Sequence, residues 1–182
     1  AASVGVQNLI LLPIDEPDWD PQKTADALTK AIREIETSEG IFDLILFGNE
    51  SADAGGFQVG IRVSHQLERP IVNGIKNIEI SGDEIQAQRE IDGGFEVYKL
   101  RMPAALGVKE GINLPRYPTM KGRLASKKAE LKSLQFSAAN GGQKRNKLHR
   151  PEEQVSETVI LGKGPEAAPA IVDLLEELGV LQ

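Results

Sequence analysis

The sequence predicts an α/β fold, a parallel-stranded core carrying an antiparallel hairpin extension and a C-terminal arm. Three observations predict it. Two short apolar runs flank an amphipathic helical stretch near the start, which is the order of a β-α-β unit. Three segments with strand character follow, joined by Gly-containing turns. A polar, Gly-rich stretch then leads to a last amphipathic helix.

The first run, Gln7-Asn-Leu-Ile-Leu-Leu12, reads as a buried parallel strand. Asp20-Pro21 is a helix start, with Asp as N-cap and Pro at the first position. Trp19 before it packs the helix entry. Ala25, Leu28, Ala31, Ile32 and Ile35 recur at helical spacing, and Gly40 closes the helix. Phe42-Asp-Leu-Ile-Leu-Phe47 is the second strand. The crossover between the two is expected to be right-handed and the strands parallel.

Next come a loop, Gly48-Asn-Glu-Ser-Ala-Asp-Ala-Gly-Gly56, and a helix over 57–67. Strands are expected over 72–80, 84–91 and 95–101, joined at Ser81-Gly82-Asp83 and Asp92-Gly93-Gly94. A short strand at about 103–108 leads into the proline-flanked loop Asn113-Leu-Pro-Arg-Tyr-Pro-Thr-Met120, which opens a Lys-rich helix. Residues 137–158 read as extended or mobile, and 165–178 as a terminal helix with Pro169 tolerated near its start. The organisation expected is therefore an α/β domain over 1–136, with an exposed loop at 113–124, followed by an arm over 137–182.

With 40% hydrophobic but only 4% aromatic residues, the core must be aliphatic. The absence of cysteine excludes disulfides, thiolate catalysis and Cys-based metal centres. No apolar run approaches the roughly 18–20 residues that span a bilayer. No basic n-region opens the chain, so neither a signal peptide nor membrane insertion is expected. The net charge of −6 hides an asymmetry: residues 116–150 hold ten Lys/Arg against one Asp/Glu. Such a block suits an anionic surface, or is simply a solvated basic helix. Nucleic acid is not the expected partner, because Tyr117 and Phe136 are the only aromatics in the block.

The loop from Asp53 through Gly55, Gly56, Phe57, Gln58, Val59 and Gly60 sits where open α/β sheets bind ligands, at the C-terminal end of a parallel strand. Gly55 and Gly56 allow close approach of an anion, and the helix start offers free N–H groups. An ordinary βα loop looks the same, and the motif is neither a Walker loop nor GxGxxG. Glu90 and Asp92 beside Arg89 read as acid–base carboxylates or as a solvated hairpin turn. His65 and His149 lack partners at metal-ligand spacing, and Ser51 and Ser64 lack a base, so no metal and no catalytic residue is expected. Thr119 caps a helix from Met120, which either projects at the corner or folds into the core.

Taken together, these pieces resemble the β subunit of the electron-transfer flavoproteins. The matching elements are Asp43-Leu-Ile-Leu-Phe-Gly48, the loop ending Gln58-Val-Gly60, Arg89-Glu-Ile-Asp-Gly-Gly94, Met102-Pro-Ala-Ala105, Pro115-Arg-Tyr117 and Leu174-Leu-Glu-Glu-Leu-Gly-Val180. The resemblance lacks the family's N-terminal third. It implies an adenine-nucleotide hydrolase-like core and a heterodimer with an α subunit that holds most of the FAD. The β subunit would carry AMP, or a second FAD, at 53–60. Tyr117, Pro118, Thr119, Met120 and Lys121 would dock flavoprotein dehydrogenases, Met120 standing for the family's apolar anchor. Glu90 would touch the α subunit's flavin domain. The compartment implied is the bacterial cytoplasm or the mitochondrial matrix. The alternative class is an adenine-nucleotide-binding module of the universal-stress type, without redox work, which would not need the hairpin and the Pro-Arg-Tyr block.

Overall fold

The computed structural model describes residues 1–14, 19–137, 142–144, 146–151 and 158–181. The order begins with a 3₁₀ turn (Ala2–Val4), β1 (Leu9–Leu11), α1 (Pro21–Glu39), β2 (Leu44–Gly48) and α2 (Val59–Gln66). It continues with β3 (Ile71–Ser81), β4 (Glu84–Ile91), β5 (Gly94–Arg101), β6 (Ala104–Val108), α3 (Met120–Ser126) and β7 (Leu131–Ser133). A second 3₁₀ turn (Gly164–Ala167) and α4 (Ala168–Glu177) complete it. The chain divides into two units, Ala1–Arg145 and Asn146–Gln182.

The fold is α/β, with parallel strands and an antiparallel hairpin extension. Its larger sheet runs β2-β6-β3-β4-β5. β6 lies between β2 and β3, parallel to both, while β3, β4 and β5 form an antiparallel meander. β3 belongs to both halves: Ile71 to Ile75 pair with β6, and Ile75 to Ser81 pair with β4. The register shifts between Asn73 and Ile75, and Gly74 there has φ +77°, a bulge only glycine takes without strain. One continuous strand thus joins the hairpin to the parallel core.

The β-α-β expectation needs a correction. β1 is hydrogen-bonded to β7, in parallel, as a separate two-stranded sheet, and β2 is an edge of the other sheet. α1 connects two strands that are not neighbours. The three-residue β7, Leu-Lys-Ser, carries too little periodicity to be seen in sequence.

α1 begins as expected: the Asp20 carboxylate accepts the Lys23 N–H at 2.8 Å, Pro21 occupies the first turn, and Gly40 at φ 97° ends the helix. Its buried face is Ala25, Ala27, Ala31 and Ile35, small enough for close approach of neighbouring elements. Ala31 and Ile35 pack with Leu134, Ile10, Leu12 and Phe136 beside the small sheet. The larger core is aliphatic, built on Ile75, Ile85, Ala87, Ala104 and Leu106. Arg69 and Glu36, both nearly buried, form an ion pair at the end of α1. The Glu36 carboxylate also accepts the Phe42 N–H at 3.1 Å, and Arg69 donates to the Phe42 carbonyl at 3.3 Å. These bonds tie α1, the entry to β2 and the end of α2 together.

α2 starts two residues later than the sequence suggests, at Val59. Half of the expected extended segment 137–158 falls outside the described residues, and the described half belongs to no helix or strand. The terminal helix is split, a 3₁₀ turn leading into α4 with Pro169 in its first turn.

Candidate nucleotide cleft and docking loop

A cleft of about 190 Å³ opens where β2 ends and α2 begins. It is lined by Gly48, Asn49, Glu50 and Ser51, by residues 56–61, by Pro21 from the start of α1 and by Asn73 from β3. Phe47 forms part of the wall. A Cβ on Gly60 would lie 2.9 Å from the Phe47 ring, so glycine there lets the first turn of α2 seat directly on β2. The loop folds on itself: the Gly55 N–H donates to the Ser51 carbonyl at 2.9 Å, and the Asp53 carboxylate accepts the Ala54 N–H at 2.8 Å. Phe57 is a non-glycine residue at φ 51°, half exposed at the mouth of the cleft.

Among the described residues, no side chain caps the first turn of α2. Gln58 stands at the N-cap position, but its side-chain oxygen accepts from Arg62 Nε and Nη2 at 3.1 and 3.0 Å. The first turn holds no acidic residue. Helix-start N–H groups that are uncapped and face a cleft match the donor set of a phosphate. Of the expected residues, Ala54, Gly56, Phe57, Gln58, Val59 and Gly60 line this cleft. Gly55 turns the loop beside it at φ 55°, and Asp53 is exposed within the loop. Pro21 and Asn73 were not expected, because only the tertiary fold brings their strand and helix to this loop. Among the described residues, no group of three His, Cys, Asp or Glu side chains gathers to hold a metal.

The second feature is the segment around α3. Thr119 caps the helix, its hydroxyl oxygen accepting the Gly122 N–H at 3.0 Å. Met120 projects into solvent, 72% exposed, beside Tyr117 at 93% and Leu114 at 92%. Three large apolar side chains are thus left exposed along one short segment. Lys121, Arg123, Lys127 and Lys128 follow directly and are exposed.

The third is the end of the β4–β5 hairpin. Glu90 is exposed and sits opposite Phe95, itself 61% exposed. Arg89 behaves differently from the expected turn charge. It lies opposite Glu96, its Nε donating to that carboxylate at 2.8 Å, and its guanidinium also contacts the Tyr98 hydroxyl and stacks 5.1 Å from the ring centroid. The Tyr98 hydroxyl donates to Glu96 at 2.7 Å. That bond, with Arg89 second, holds the Glu96 carboxyl below its ordinary range, and it raises the Tyr98 phenol above its own. The Arg89–Glu96–Tyr98 cluster was missed in the sequence. The turn at Asp92-Gly93 fixes the pairing, so counting back from it would have placed Arg89 across from Glu96.

The sequence profile of the electron transfer flavoprotein domain matches residues 1–139. The chain is 30% identical to an electron transfer flavoprotein subunit beta of Bacillus subtilis, over 96% of this chain and 70% of that protein. A protein of the same description from Syntrophomonas wolfei is 38% identical over 63% of this chain and 46% of its own length. One from Mycobacterium tuberculosis is 36% identical over 74% of this chain and 49% of its own. The chain thus spans less than half the length of these last two relatives. With a profile match across most of its length, joined to strand-end loop, hairpin and exposed basic helix, the chain belongs to the electron transfer flavoprotein family, in the line of its β subunits.

Proposed function

We propose that this chain is the β subunit of a heterodimeric electron carrier. It takes electrons from flavoprotein dehydrogenases and passes them to a downstream acceptor. The observation that carries this reading is the match to the family over residues 1–139, which includes both the cleft and the docking segment. FAD, held mainly by an α subunit, would supply the one-electron and two-electron redox chemistry. This chain's own residues position and dock. The compartment in this reading is the bacterial cytoplasm or the mitochondrial matrix, and no helix among the described residues is long and apolar enough to cross a membrane.

The cleft at 53–60 would hold the phosphate of a structural nucleotide, AMP or a second FAD. The uncapped start of α2 supports this, as does Gly60, which brings that start close to β2. The Asp53 loop would close over the nucleotide. Glu90, exposed at the hairpin end, would meet the flavin domain of the α subunit, with Phe95 adding apolar contact. The arm supports a subunit interface too: Val159, Ile160, Ile171, Leu174 and Leu178 all carry substantial solvent exposure in the single chain.

Tyr117, Pro118, Thr119, Met120 and Lys121 would form the dehydrogenase-docking loop. Met120 enters an apolar pocket of the dehydrogenase, and the exposed cations after it steer the encounter. Met120→Asp should therefore weaken coupling to the dehydrogenase while leaving flavin content unchanged. Unaltered electron-transfer kinetics in that variant would remove the docking role. The carrier reading itself is tested by native purification of the full gene product. A yellow one-to-one heterodimer with FAD supports it, and nucleotide analysis then distinguishes AMP from a second flavin. A stable, colourless protein with no second subunit overturns it.

A further inference from the structure

Gly122 has no conformational reason to be glycine. It lies in the first turn of α3, outside the left-handed region, where Ala would favour the helix. The reason is steric. A Cβ at this position would clash with the backbone carbonyl oxygen of Ser3. The obstacle is main chain rather than the end of a flexible side chain, so one of the two segments would have to move. The N-terminal 3₁₀ turn, Ala2–Val4, is therefore seated directly on α3. Two further observations describe the same junction. The Arg116 guanidinium reaches the Val4 carbonyl at 3.5 Å, a long contact across 112 residues of sequence. The turn closes on itself through Gly5, whose φ of 106° lets its N–H return to the Ala2 carbonyl at 3.1 Å. A cleft of about 400 Å³ lies at the junction, lined on one side by Ser3, Val4 and Gly5 and on the other by Tyr117, Pro118 and Ala125.

We infer that the Ala2–Val4 turn is a brace for the docking loop, and that Gly122 is the positioning residue that lets α3 seat against it. This inference rests on the docking role proposed above. α3 is only seven residues long, with none of them buried. A helix that short, without a buried face, does not hold its own position. Its orientation is set where it touches something fixed. Gly122 sits two residues beyond Met120, so displacing it tilts the turn that presents Met120. Thr119 caps by accepting the Gly122 N–H, which couples the cap to the same contact. The brace holds the loop in one conformation before the partner arrives and so lowers the ordering cost of docking.

The intrinsic preference of the helix and the brace predict opposite signs for one substitution. Gly122→Ala helps an isolated helix and disrupts a braced one. The test uses the assembled flavin-containing heterodimer as substrate of a purified flavoprotein dehydrogenase that reduces it. The expected result for Gly122→Ala is a KM for the heterodimer raised on the order of tenfold, equivalent to about 1.4 kcal/mol of binding. kcat and flavin content should be unchanged, and amide exchange should be faster in residues 1–6 and 119–126. Arg116→Gln removes the second tie without adding volume and should raise KM in the same direction, which keeps the test valid if Gly122→Ala fails to fold. Should Met120→Asp raise KM while neither junction variant does, the brace is wrong and the docking role stands. Should none of the three change KM, the docking role fails, and unchanged exchange at residues 1–6 in Gly122→Ala would reject the contact as well.

Discussion

At the scale of single residues, the interactions that were legible in the sequence are local ones. Asp20 and Thr119 read as N-caps because a capping side chain reaches a backbone N–H three residues on, and both do so. Asp20 also accepts the Gln143 N–H at 2.5 Å, from 123 residues away, which nothing in the local pattern reveals. The Lys23 N–H is the largest cause of a lowered Asp20 pKa, opposed by partial burial and reinforced by Gln143. A carboxyl whose folded pKa is depressed stabilises the fold above its unfolded pKa, and loses that contribution as pH falls through the folded value. Asp20→Ala should thus cost about 1 kcal/mol at neutral pH. Its deficit should shrink once pH falls below about 3.9, the ordinary aspartate value. Urea midpoints of parent and variant at pH 7 and pH 3 measure this, and an equal gap at both would mean that the charge contributes nothing. Gly122 was opaque for the opposite reason: its constraint is the Ser3 carbonyl, a long-range contact that leaves no periodic trace.

At the scale of elements, the strands of the hairpin were placed within a residue or so, because alternation and Gly-containing turns fix register together. β6 was found as a strand, but its position between β2 and β3 was not, since a parallel insertion depends on which edges are free rather than on local pattern. The start of α2 shifted by two residues because Phe57 takes a left-handed conformation that ends the loop, where hydrophobic spacing alone had suggested helix. The junction of β2 and α2 then depends on Gly60. Ala there gains about 1 kcal/mol of helix propensity. It also meets the Phe47 ring at 2.9 Å, and overpacking costs roughly 1–3 kcal/mol. The steric cost should win, since the contact is with a ring held in the cleft wall. Gly60→Ala should lower the melting temperature and, on the nucleotide reading proposed above, strip bound nucleotide from the purified heterodimer. A variant that keeps both its melting temperature and its nucleotide would show that the helix start need not sit this close.

At the scale of the whole molecule, the fold class was legible, but the division of its strands between two sheets was not. α1 was read as a crossover between neighbours, and it instead links β1, paired with β7, to β2 at the edge of the other sheet. Strand order is a tertiary property, and two apolar runs around a helix are compatible with several orders. Charge distribution, by contrast, is fully written in the sequence and has consequences at this scale. The net charge is −6, yet residues 116–150 carry ten cations and one acid, and the segment proposed to dock lies at the beginning of that block. If 117–121 docks as proposed, a protein acidic overall but basic around that loop would meet an acidic partner in one orientation, because the remaining charge repels it. Steering of this kind acts through exposed charges and is screened over a Debye length of about 10 Å at 0.1 M salt. The proposed insertion of Met120 would be short-ranged and nearly independent of salt. The two contributions therefore separate in a stopped-flow measurement of reduction by the dehydrogenase at increasing ionic strength. The parent's association rate should fall steeply with salt. Changing Lys121, Lys127 and Lys128 together to Gln should flatten that slope, so that parent and variant converge at high salt. Met120→Asp should raise the dissociation rate at every salt concentration, and the effect should persist at high salt, where steering is screened. Parallel slopes for parent and triple variant would assign the steering to charges elsewhere on the chain and leave the basic helix as a solvated face.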